Sequence, residues 1–130
     1  MPRVRYIVND VDEAIAFYRD RLGFGEVMHP APIFAILERD GLQLLLSAPG
    51  EPGGQGGGSA PMPDGRRPEP GGWNRISLDV DDLEGEVATL REAGVTFRNE
   101  IVHGVGGDQI LLEDPSGNPV ELFEAKPRAE

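Results

Sequence analysis

Few residues of this chain belong to the types that usually carry metal or nucleophilic chemistry. The 130 residues contain two histidines and no cysteine, which excludes disulfides, thiolate metal sites and cysteine nucleophiles. His29 follows a β-run that ends at Met28 and precedes Pro30, and His103 precedes a glycine-rich turn. Both positions are typical of ordinary strand ends or loops. A metal site that uses one of them is the alternative left open here.

Neither of the two glycine-rich segments matches a nucleotide-binding motif. Segment 48–73 lacks the Gly-Lys-Ser/Thr ending and the strand-to-helix context of a P-loop. Residues 104–107, Gly-Val-Gly-Gly, fit a turn between strands. The serines are few, and none has a histidine nearby in an evident nucleophile elbow. The sequence therefore predicts no catalytic residue and no cofactor.

Composition and charge narrow the classes of partner. The formal net charge of −11 argues against a nucleic-acid partner, because phosphate binding needs clustered lysine and arginine. The simplest meaning of this acidity is solubility. The chain has no apolar stretch of about 18 residues, so no membrane span is expected. Its first residues, MPRVRYIVND, lack the apolar core of a secretory signal, and a cytoplasmic location is expected.

The sequence contains an internal repeat, so the elements that would position a site occur twice. In the first half of the repeat, residues 3–24, RVRYIVNDVDEAIAFYRDRLGF, correspond to residues 75–95, RISLDVDDLEGEVATLREAGV. In the second half, residues 34–46, FAILERDGLQLLL, correspond to residues 109–123, QILLEDPSGNPVELF. A repeat of this length predicts two copies of one structural unit, with the chemistry where the copies face each other.

The first copy predicts one helix among four strands. Asp10 and Glu13 form a capping-box pattern that starts the helix, and Gly23 is placed to end it. Between them, apolar residues recur at helical spacing. The predicted strands are 3–8, 25–29, 33–38 and 42–47, the last two joined by a tight turn at Asp40-Gly41.

The second copy repeats this order. A strand over 76–80 precedes a helix that is capped by Asp81 or Asp82 and ended by Gly94. The remaining predicted strands are near 96–102, 109–113 and 119–124, with a Pro/Gly turn at 114–119. The sequence thus predicts an α+β fold with the pattern βαβββ, twice.

One structural domain with three parts is the predicted organisation. These parts are a first module, 1–47, a Gly/Pro-rich loop, 48–73, and a second module, 74–130. The loop is too rich in glycine and proline to form a packed element. It is either a flexible linker or a loop that partly covers a site, with Trp73 at its end as the residue most apt to be ordered.

Two motifs resemble a known family. Residues 10–18, Asp-Val-Asp-Glu-Ala-Ile-Ala-Phe-Tyr, followed by Leu-Gly-Phe at 22–24, resemble the opening motif of the vicinal oxygen chelate superfamily. Residues 113–123, Glu-Asp-Pro-Ser-Gly-Asn-Pro-Val-Glu-Leu-Phe, resemble its closing motif. This superfamily includes glyoxalase I, extradiol dioxygenases, and fosfomycin- and bleomycin-resistance proteins. The resemblance implies two βαβββ modules that form a cupped mixed sheet around a cavity.

The resemblance also implies where a metal would be bound. Enzymes of the family commonly hold a divalent ion through His or Gln and Glu on the first and last strands of each module. Carried over one at a time, these positions are Arg3, Gln43, Arg75 and Glu121. A guanidinium has no lone pair to donate, and a catalytic metal needs about three protein ligands. No metal is therefore expected.

The same positions allow two other uses. Arg75 and Glu121 can form an internal ion pair, since buried charges must be paired. Alternatively, the polar groups bind an organic ligand while Phe34, Trp73 and Phe123 offer stacking surfaces. Strand alternation adds further residues to these faces. The candidate ligand-binding residues are Arg3, Arg5, Phe34, Gln43, Leu45, Trp73, Asn74, Arg75, Glu121 and Phe123.

The favoured function is a metal-free protein that sequesters an antibiotic or a bulky aromatic natural product in self-resistance. This hypothesis follows from the resemblance to the bleomycin-resistance branch, whose members are typically homodimers. An acidic protein would also attract a cationic drug. The alternative is a lyase, isomerase or dioxygenase that uses an unrecognised metal arrangement, or Glu121 as an acid–base group. A third possibility is a relative without a ligand, whose own side chains fill the cavity.

Overall fold

The computed structural model describes residues 2–49 and 60–127. The chain divides into two units, Met1–Gly71 with Pro115–Asn118, and Gly72–Asp114 with Pro119–Glu130. Each unit contains one helix and one mixed sheet, so the predicted α+β class is confirmed. Part of the glycine-rich loop, residues 50–59, lies outside the described residues, and whether that part covers a site stays untested.

The first unit follows the predicted element order. Its elements are β1 (Arg3–Ile7), α1 (Val11–Leu22), β2 (Gly25–Ala31), β3 (Phe34–Arg39) and β4 (Leu42–Ser47). The strand order across the sheet is β1-β4-β3-β2. Strand β1 is parallel to β4, and the other pairs are antiparallel.

Local chemistry sets the bounds of α1. The Asp10 carboxylate accepts a hydrogen bond from the Glu13 amide at 3.0 Å, which satisfies one of the free donors at the helix start. Gly23 ends the helix with φ of 73°, a left-handed conformation that favours glycine. Tyr18 is fully buried and meets Tyr6 and Phe24 edge-to-face, with ring centroids 6.3 and 5.6 Å apart. These aromatic contacts fasten the helix to one face of the sheet.

The second unit contains five strands and one helix. Its elements are β5 (Ile76–Asp79), α2 (Leu83–Glu92), β6 (Thr96–Phe97), β7 (Val102–His103), β8 (Gly107–Glu113) and β9 (Pro119–Ala125). The strand order is β5-β9-β8-β6, and β7 also pairs with β8. The helix is capped by Asp82, whose carboxylate accepts from the Gly85 amide at 3.1 Å. This contact decides between the two aspartates that the sequence left open.

The single strand predicted near 96–102 is wrong, because this segment forms two short strands, β6 and β7. The break has a local cause. The Asn99 side-chain oxygen accepts the hydrogen bond of the Leu111 amide at 2.9 Å, so a side chain takes the place of a backbone acceptor in the ladder. The Arg98 amide still donates to the Leu111 carbonyl at 2.9 Å, and the regular pairing stops there.

The turn of the closing motif groups with the first unit. The Asn118 amide group donates to the Ile7 carbonyl at 2.7 Å, and its oxygen accepts from the Gly71 amide at 2.7 Å. The Ser116 hydroxyl accepts from the Asn9 amide at 2.9 Å. The motif therefore acts as a structural tie onto the end of β1.

Among the described residues, no helix is long and apolar enough to cross a membrane.

Candidate functional site

Each sheet has an open face, which we define as the face opposite its helix. In the first sheet, residues on the helix side such as Leu37, Leu44 and Leu46 are fully buried. Their neighbours along the strands point to the open face, because side chains alternate. Strand register arranges this face in three rows across β1, β4 and β3, namely Arg3–Gln43–Glu38, Arg5–Leu45–Ile36 and Ile7–Ser47–Phe34.

The first row is a short hydrogen-bonded chain. Arg3 Nε donates to Gln43 Oε1 at 3.1 Å, and Gln43 Nε2 donates to Glu38 Oε1 at 3.3 Å. Gln43 thus links Arg3 and Glu38 through one amide. Glu38 was missed by the sequence reasoning, although its alternation with Phe34 along β3 places it on the same face.

The second row combines a free charge with apolar side chains. Arg5 is exposed, and no acidic or polar partner reaches its guanidinium among the residues that the structure describes. Leu45 beside it is 9% exposed and Ile36 is half-buried. Phe34, in the third row, is also half-buried. The row therefore places one exposed cation beside apolar side chains that are buried or half-buried.

On the open face of the second sheet, the ion pair between Arg75 and Glu121 is present as predicted. Arg75 Nη2 and Nε donate to Glu121 Oε1 at 3.1 and 3.3 Å. The Ser77 hydroxyl donates to the other oxygen, Oε2, at 2.7 Å. The Glu121 side chain is only 14% exposed. With both oxygens engaged, this carboxylate has its hydrogen-bonding needs largely met.

The sheet register corrects one correspondence between the two modules. Ser77 pairs with Glu121, and Arg5 pairs with Leu45. Ser77 and Arg5 hold the same place, because each stands five residues before the aspartate that caps the following helix. Leu45 therefore occupies the place of Glu121. The expected correspondence of Gln43 with Glu121 is wrong by two residues.

The residues at the four metal positions of the family do not fit a divalent cation. The first unit offers Arg3 and Leu45, and neither has a lone pair for a metal. The second unit offers Arg75 and Glu121, whose charges neutralise each other at 3.1 Å. No group of three His, Asp or Glu side chains is placed to hold an ion within the described ranges 2–49 and 60–127.

Neither histidine stands at one of these four positions. His29, in the first unit, lies 3.7 Å from Asp12 and 3.8 Å from Glu26. His103, in the second unit, lies 3.1 Å from Asp108 and is 66% exposed in its side chain. Each histidine thus has one or two carboxylates nearby. Neither arrangement is a metal-binding cluster among the residues described.

Trp73 forms an exposed aromatic platform in the second unit. Trp73 is 69% exposed, and the Arg98 guanidinium lies 4.6 Å from the centroid of its ring. Arg98 is itself fixed by Glu113 at 2.8 Å and by the Gly72 carbonyl at 2.7 Å. One ring face is therefore covered by a cation–π contact. Arg98 and Glu113 were missed by the sequence reasoning, since no spacing connects residue 98 with residue 73.

The Trp73 segment is also tied to the ion pair. Arg75 Nη1 donates to the Trp73 carbonyl at 3.3 Å. Asn74, between them, is exposed. The backbone of the platform is thus held by the same arginine that pairs with Glu121.

Phe123 lies on the same open face as Glu121, two residues further along β9. It pairs across the sheet with Asp79 and Gln109, and it is half-buried. A Cβ atom built on Gly107 would lie 2.5 Å from Phe123 Cζ. The absence of a side chain at Gly107 therefore leaves the space that the Phe123 ring uses.

The structure divides the ten candidate residues between the two units. Five belong to the first unit and five to the second. The first-unit group is Arg3, Arg5, Phe34, Gln43 and Leu45, and the second-unit group is Trp73, Asn74, Arg75, Glu121 and Phe123.

Two shallow grooves of the second unit lie beside α2 and involve none of the candidate residues. One has a volume of about 370 Å³ and the other about 420 Å³. Both are bordered by Arg91 and Glu100, which form an ion pair at 3.1 Å. The chemistry predicted from the repeat is not in these grooves.

Replacing Arg98 with methionine is expected to loosen the Trp73 platform. Methionine keeps most of the apolar stem but removes the charge over the ring and both fixing hydrogen bonds. Trp73 is the only tryptophan, so its fluorescence reports this site alone. We expect lower fluorescence anisotropy and stronger quenching by acrylamide.

The matched control is Arg91→Met, because Arg91 lies 5.2 Å over the ring of Phe97 and not over Trp73. Its Trp73 fluorescence should equal that of the unmodified protein. Equal anisotropy in Arg98→Met and the unmodified protein would mean that Arg98 does not restrain the ring.

The protein family that the sequence matches agrees with the fold of the two units. The family model described as Glyoxalase/Bleomycin resistance protein/Dioxygenase superfamily matches residues 1–122. The chain belongs to this superfamily. It is similar in structure to a member of the same superfamily from Sphaerobacter thermophilus DSM 20745, with 30% identity, a TM-score of 0.73 and coverage of 95% of both chains.

Two more distantly similar structures have the same fold. TnmS3, an antibiotic binding protein from Streptomyces sp. CB03234, has 23% identity and a TM-score of 0.71, with 97% of this chain and 95% of that chain covered. Lactoylglutathione lyase from Agrobacterium tumefaciens has 23% identity and a TM-score of 0.72, with 95% and 92% covered. At these identities the likeness concerns the fold. A comparison with curated protein sequences gave no significant match.

Proposed function

We propose that this superfamily member is a metal-free binding protein that sequesters an aromatic natural product, such as an antibiotic. The observation that carries the proposal is the chemistry of the four family metal positions. Arg3 and Leu45 stand in the first unit, and an ion pair of Arg75 with Glu121 stands in the second. Three of these four side chains have no lone pair for a cation.

The aromatic side chains favour a flat organic ligand. Trp73 is 69% exposed yet held from one side by Arg98, so stacking on its other face costs little loss of freedom. Phe34 and Phe123 are half-buried on the two open faces. Each of these rings could contact an aromatic ligand by offset or edge-to-face packing. The description of TnmS3 as an antibiotic binding protein supports the same class of ligand by analogy.

An acid–base enzyme without a metal is less favoured. Such a catalyst would use Glu121 as its proton acceptor. Both oxygens of this carboxylate already accept hydrogen bonds, from Arg75 at 3.1 Å and from Ser77 at 2.7 Å. The homodimer implied by the resemblance and the expected cytoplasmic location stay predictions within this proposal.

The test combines metal analysis with ligand binding. Protein purified without chelators should contain only substoichiometric Ni, Zn, Fe and Mn by plasma mass spectrometry. Titration with a panel of aromatic antibiotics should quench the Trp73 fluorescence for at least one compound, with saturation. One tightly bound metal per chain that is lost in His29→Ala or His103→Ala would favour the enzyme alternative. Absence of quenching and of calorimetric heat across the panel would contradict sequestration.

A further inference from the structure

Arg5 differs from the other arginines of the two open faces. Arg75 pairs with Glu121 at 3.1 Å, and Arg98 pairs with Glu113 at 2.8 Å. Arg3 donates to Gln43. Arg5 alone has neither an acidic nor an amide partner among the described residues.

The comparison of the two modules explains this free charge. In the second sheet, the strand neighbour of residue 77 is Glu121, which neutralises an arginine. In the first sheet, the strand neighbour of Arg5 is Leu45. The carboxylate that balances the second open face is therefore replaced by an apolar side chain in the first.

The surroundings of Arg5 suit the apolar part of a ligand. Leu45 and Ile36 continue its row across the sheet. Ile7 and Phe34 belong to the next row and are half-buried. An acidic group bound here would lie beside apolar side chains, where its interaction with a guanidinium is stronger than in water.

The nearby charges also favour an anion. Arg3 lies two residues from Arg5 on the same strand face, at about 7 Å between Cα atoms. Its Nε is used by Gln43, but its terminal nitrogens make no hydrogen bond among the described residues. Glu38, at the far end of the first row, is the one acidic side chain of the three rows. The local balance is thus positive, although the whole chain carries −11.

We propose that the open face of the first sheet binds an organic anion with a flat apolar body, its carboxylate on Arg5. The bidentate geometry of guanidinium suits a carboxylate, Arg3 adds a second positive charge, and Ile36, Ile7 and Phe34 receive the apolar body. This inference rests on the proposed binding function and names its ligand class. It replaces the expectation of a cationic drug, because charges beyond about 8 Å are largely screened at physiological salt.

The test uses three naphthalene probes of similar shape. They are 1-naphthoate, which is anionic, 1-naphthamide, which is neutral, and 1-naphthylmethylammonium, which is cationic. Dissociation constants are measured by calorimetry at low and at physiological salt. The unmodified protein should bind naphthoate roughly tenfold more tightly than naphthamide. Added salt should weaken naphthoate binding selectively.

Two variants examine the charge directly. In Arg5→Gln the preference for naphthoate should fall to about onefold. In Leu45→Glu the new carboxylate should neutralise Arg5 as Glu121 neutralises Arg75, with the same loss of preference. Leu45→Gln is the matched neutral variant, and it should keep the preference even if all three probes bind more weakly. Arg21→Gln, on the exposed side of α1, controls for net charge and should keep the preference.

The outcomes separate this inference from the proposed function. If the three probes bind equally well, or if Arg5→Gln retains the preference, the anion site is refuted while aromatic binding stands. If none of the probes binds at millimolar concentration, the anion site is refuted, and the titration with aromatic antibiotics decides the general binding function. Thermal unfolding of each variant establishes that a lost preference is not a loss of folding.

Discussion

Replacing Asn118 with leucine is expected to lower the free energy of unfolding by about 3 kcal/mol. The Asn118 side chain is 5% exposed and connects two separate backbone segments. It donates to the Ile7 carbonyl and accepts from the Gly71 amide, both at 2.7 Å. Leucine has a similar volume but fills neither role, so a donor and an acceptor each lose a partner in a buried setting.

Urea unfolding followed by circular dichroism measures this loss. Asn118→Asp separates the two contacts, because aspartate still accepts from the Gly71 amide but cannot donate to the Ile7 carbonyl. It should cost at least as much as leucine, because a buried carboxylate oxygen would face the Ile7 carbonyl oxygen at hydrogen-bond distance. Asn9→Leu is the matched control, since Asn9 is exposed and uses only its backbone amide. A loss below about 1 kcal/mol in Asn118→Leu would mean that water replaces the tie.

The Asn118 contact also bears on the site. Ile7 ends β1, the strand whose open face carries Arg3 and Arg5. Loss of the tie should loosen this strand end first and so weaken ligand binding at the first open face. The turn of the closing motif therefore has a structural role in this protein.

The architecture could be predicted because its signals are local. The capping pair Asp10 and Glu13, and the glycine at position 23, mark the two ends of α1 without any tertiary information. The Asp40-Gly41 turn has φ of 52° and 83°, which requires residues that tolerate a left-handed backbone. Each of these predictions depended on neighbours within a few residues.

The register of the last strands could not be read as reliably. Leu42-Gln43-Leu44 resembles Val120-Glu121-Leu122 in its apolar–polar–apolar pattern, and this similarity suggested that Gln43 matches Glu121. The turn glycines, Gly41 and Gly117, give the other alignment, in which Leu45 matches Glu121. Strand pairing agrees with the glycines. A shift of two residues keeps every side chain on the same face, so the hydrophobic pattern alone could not detect it.

Contacts between residues that are far apart in the sequence could not be predicted from the sequence pattern. The Arg98 cation over Trp73 joins a loop end to a strand break. The break itself comes from the Asn99 side chain, which accepts from the Leu111 amide. Neither contact has a periodic signal, since each depends on how strands lie side by side. The packing of the Phe123 ring against Gly107 also depends on strand pairing and could not be predicted from the sequence pattern.

Replacing Gly107 with alanine is expected to destabilise the protein by about 3 kcal/mol. Gly107 is buried at the start of β8. A Cβ atom there would come into severe contact with the Glu124 carbonyl oxygen, and would lie 2.5 and 2.9 Å from Phe123 Cζ and Cε2. The carbonyl belongs to the neighbouring strand β9, so the backbone itself must shift to admit a methyl group.

Gly106→Ala is the matched control, because a Cβ atom at Gly106 meets nothing within 4 Å. Its urea midpoint should change little, whereas that of Gly107→Ala should fall clearly. The double variant Gly107→Ala with Phe123→Leu separates the two contacts. Leucine can move away from the new methyl group, so part of the loss caused by the ring should disappear. Full recovery would place the whole conflict at the Phe123 ring, while no recovery would place it at the Glu124 carbonyl.

The same variants connect the packing to binding. The ring of Phe123 lies two residues from Glu121 on the second open face, and its position depends on the empty space at Gly107. In Gly107→Ala, the new methyl group should displace the Phe123 ring. The affinity for aromatic ligands should then fall by more than the loss of stability explains. In Gly106→Ala, binding should stay unchanged. Weaker binding in both variants would instead mean that ligand binding depends on the conformation of the 104–107 turn and not on the position of the ring.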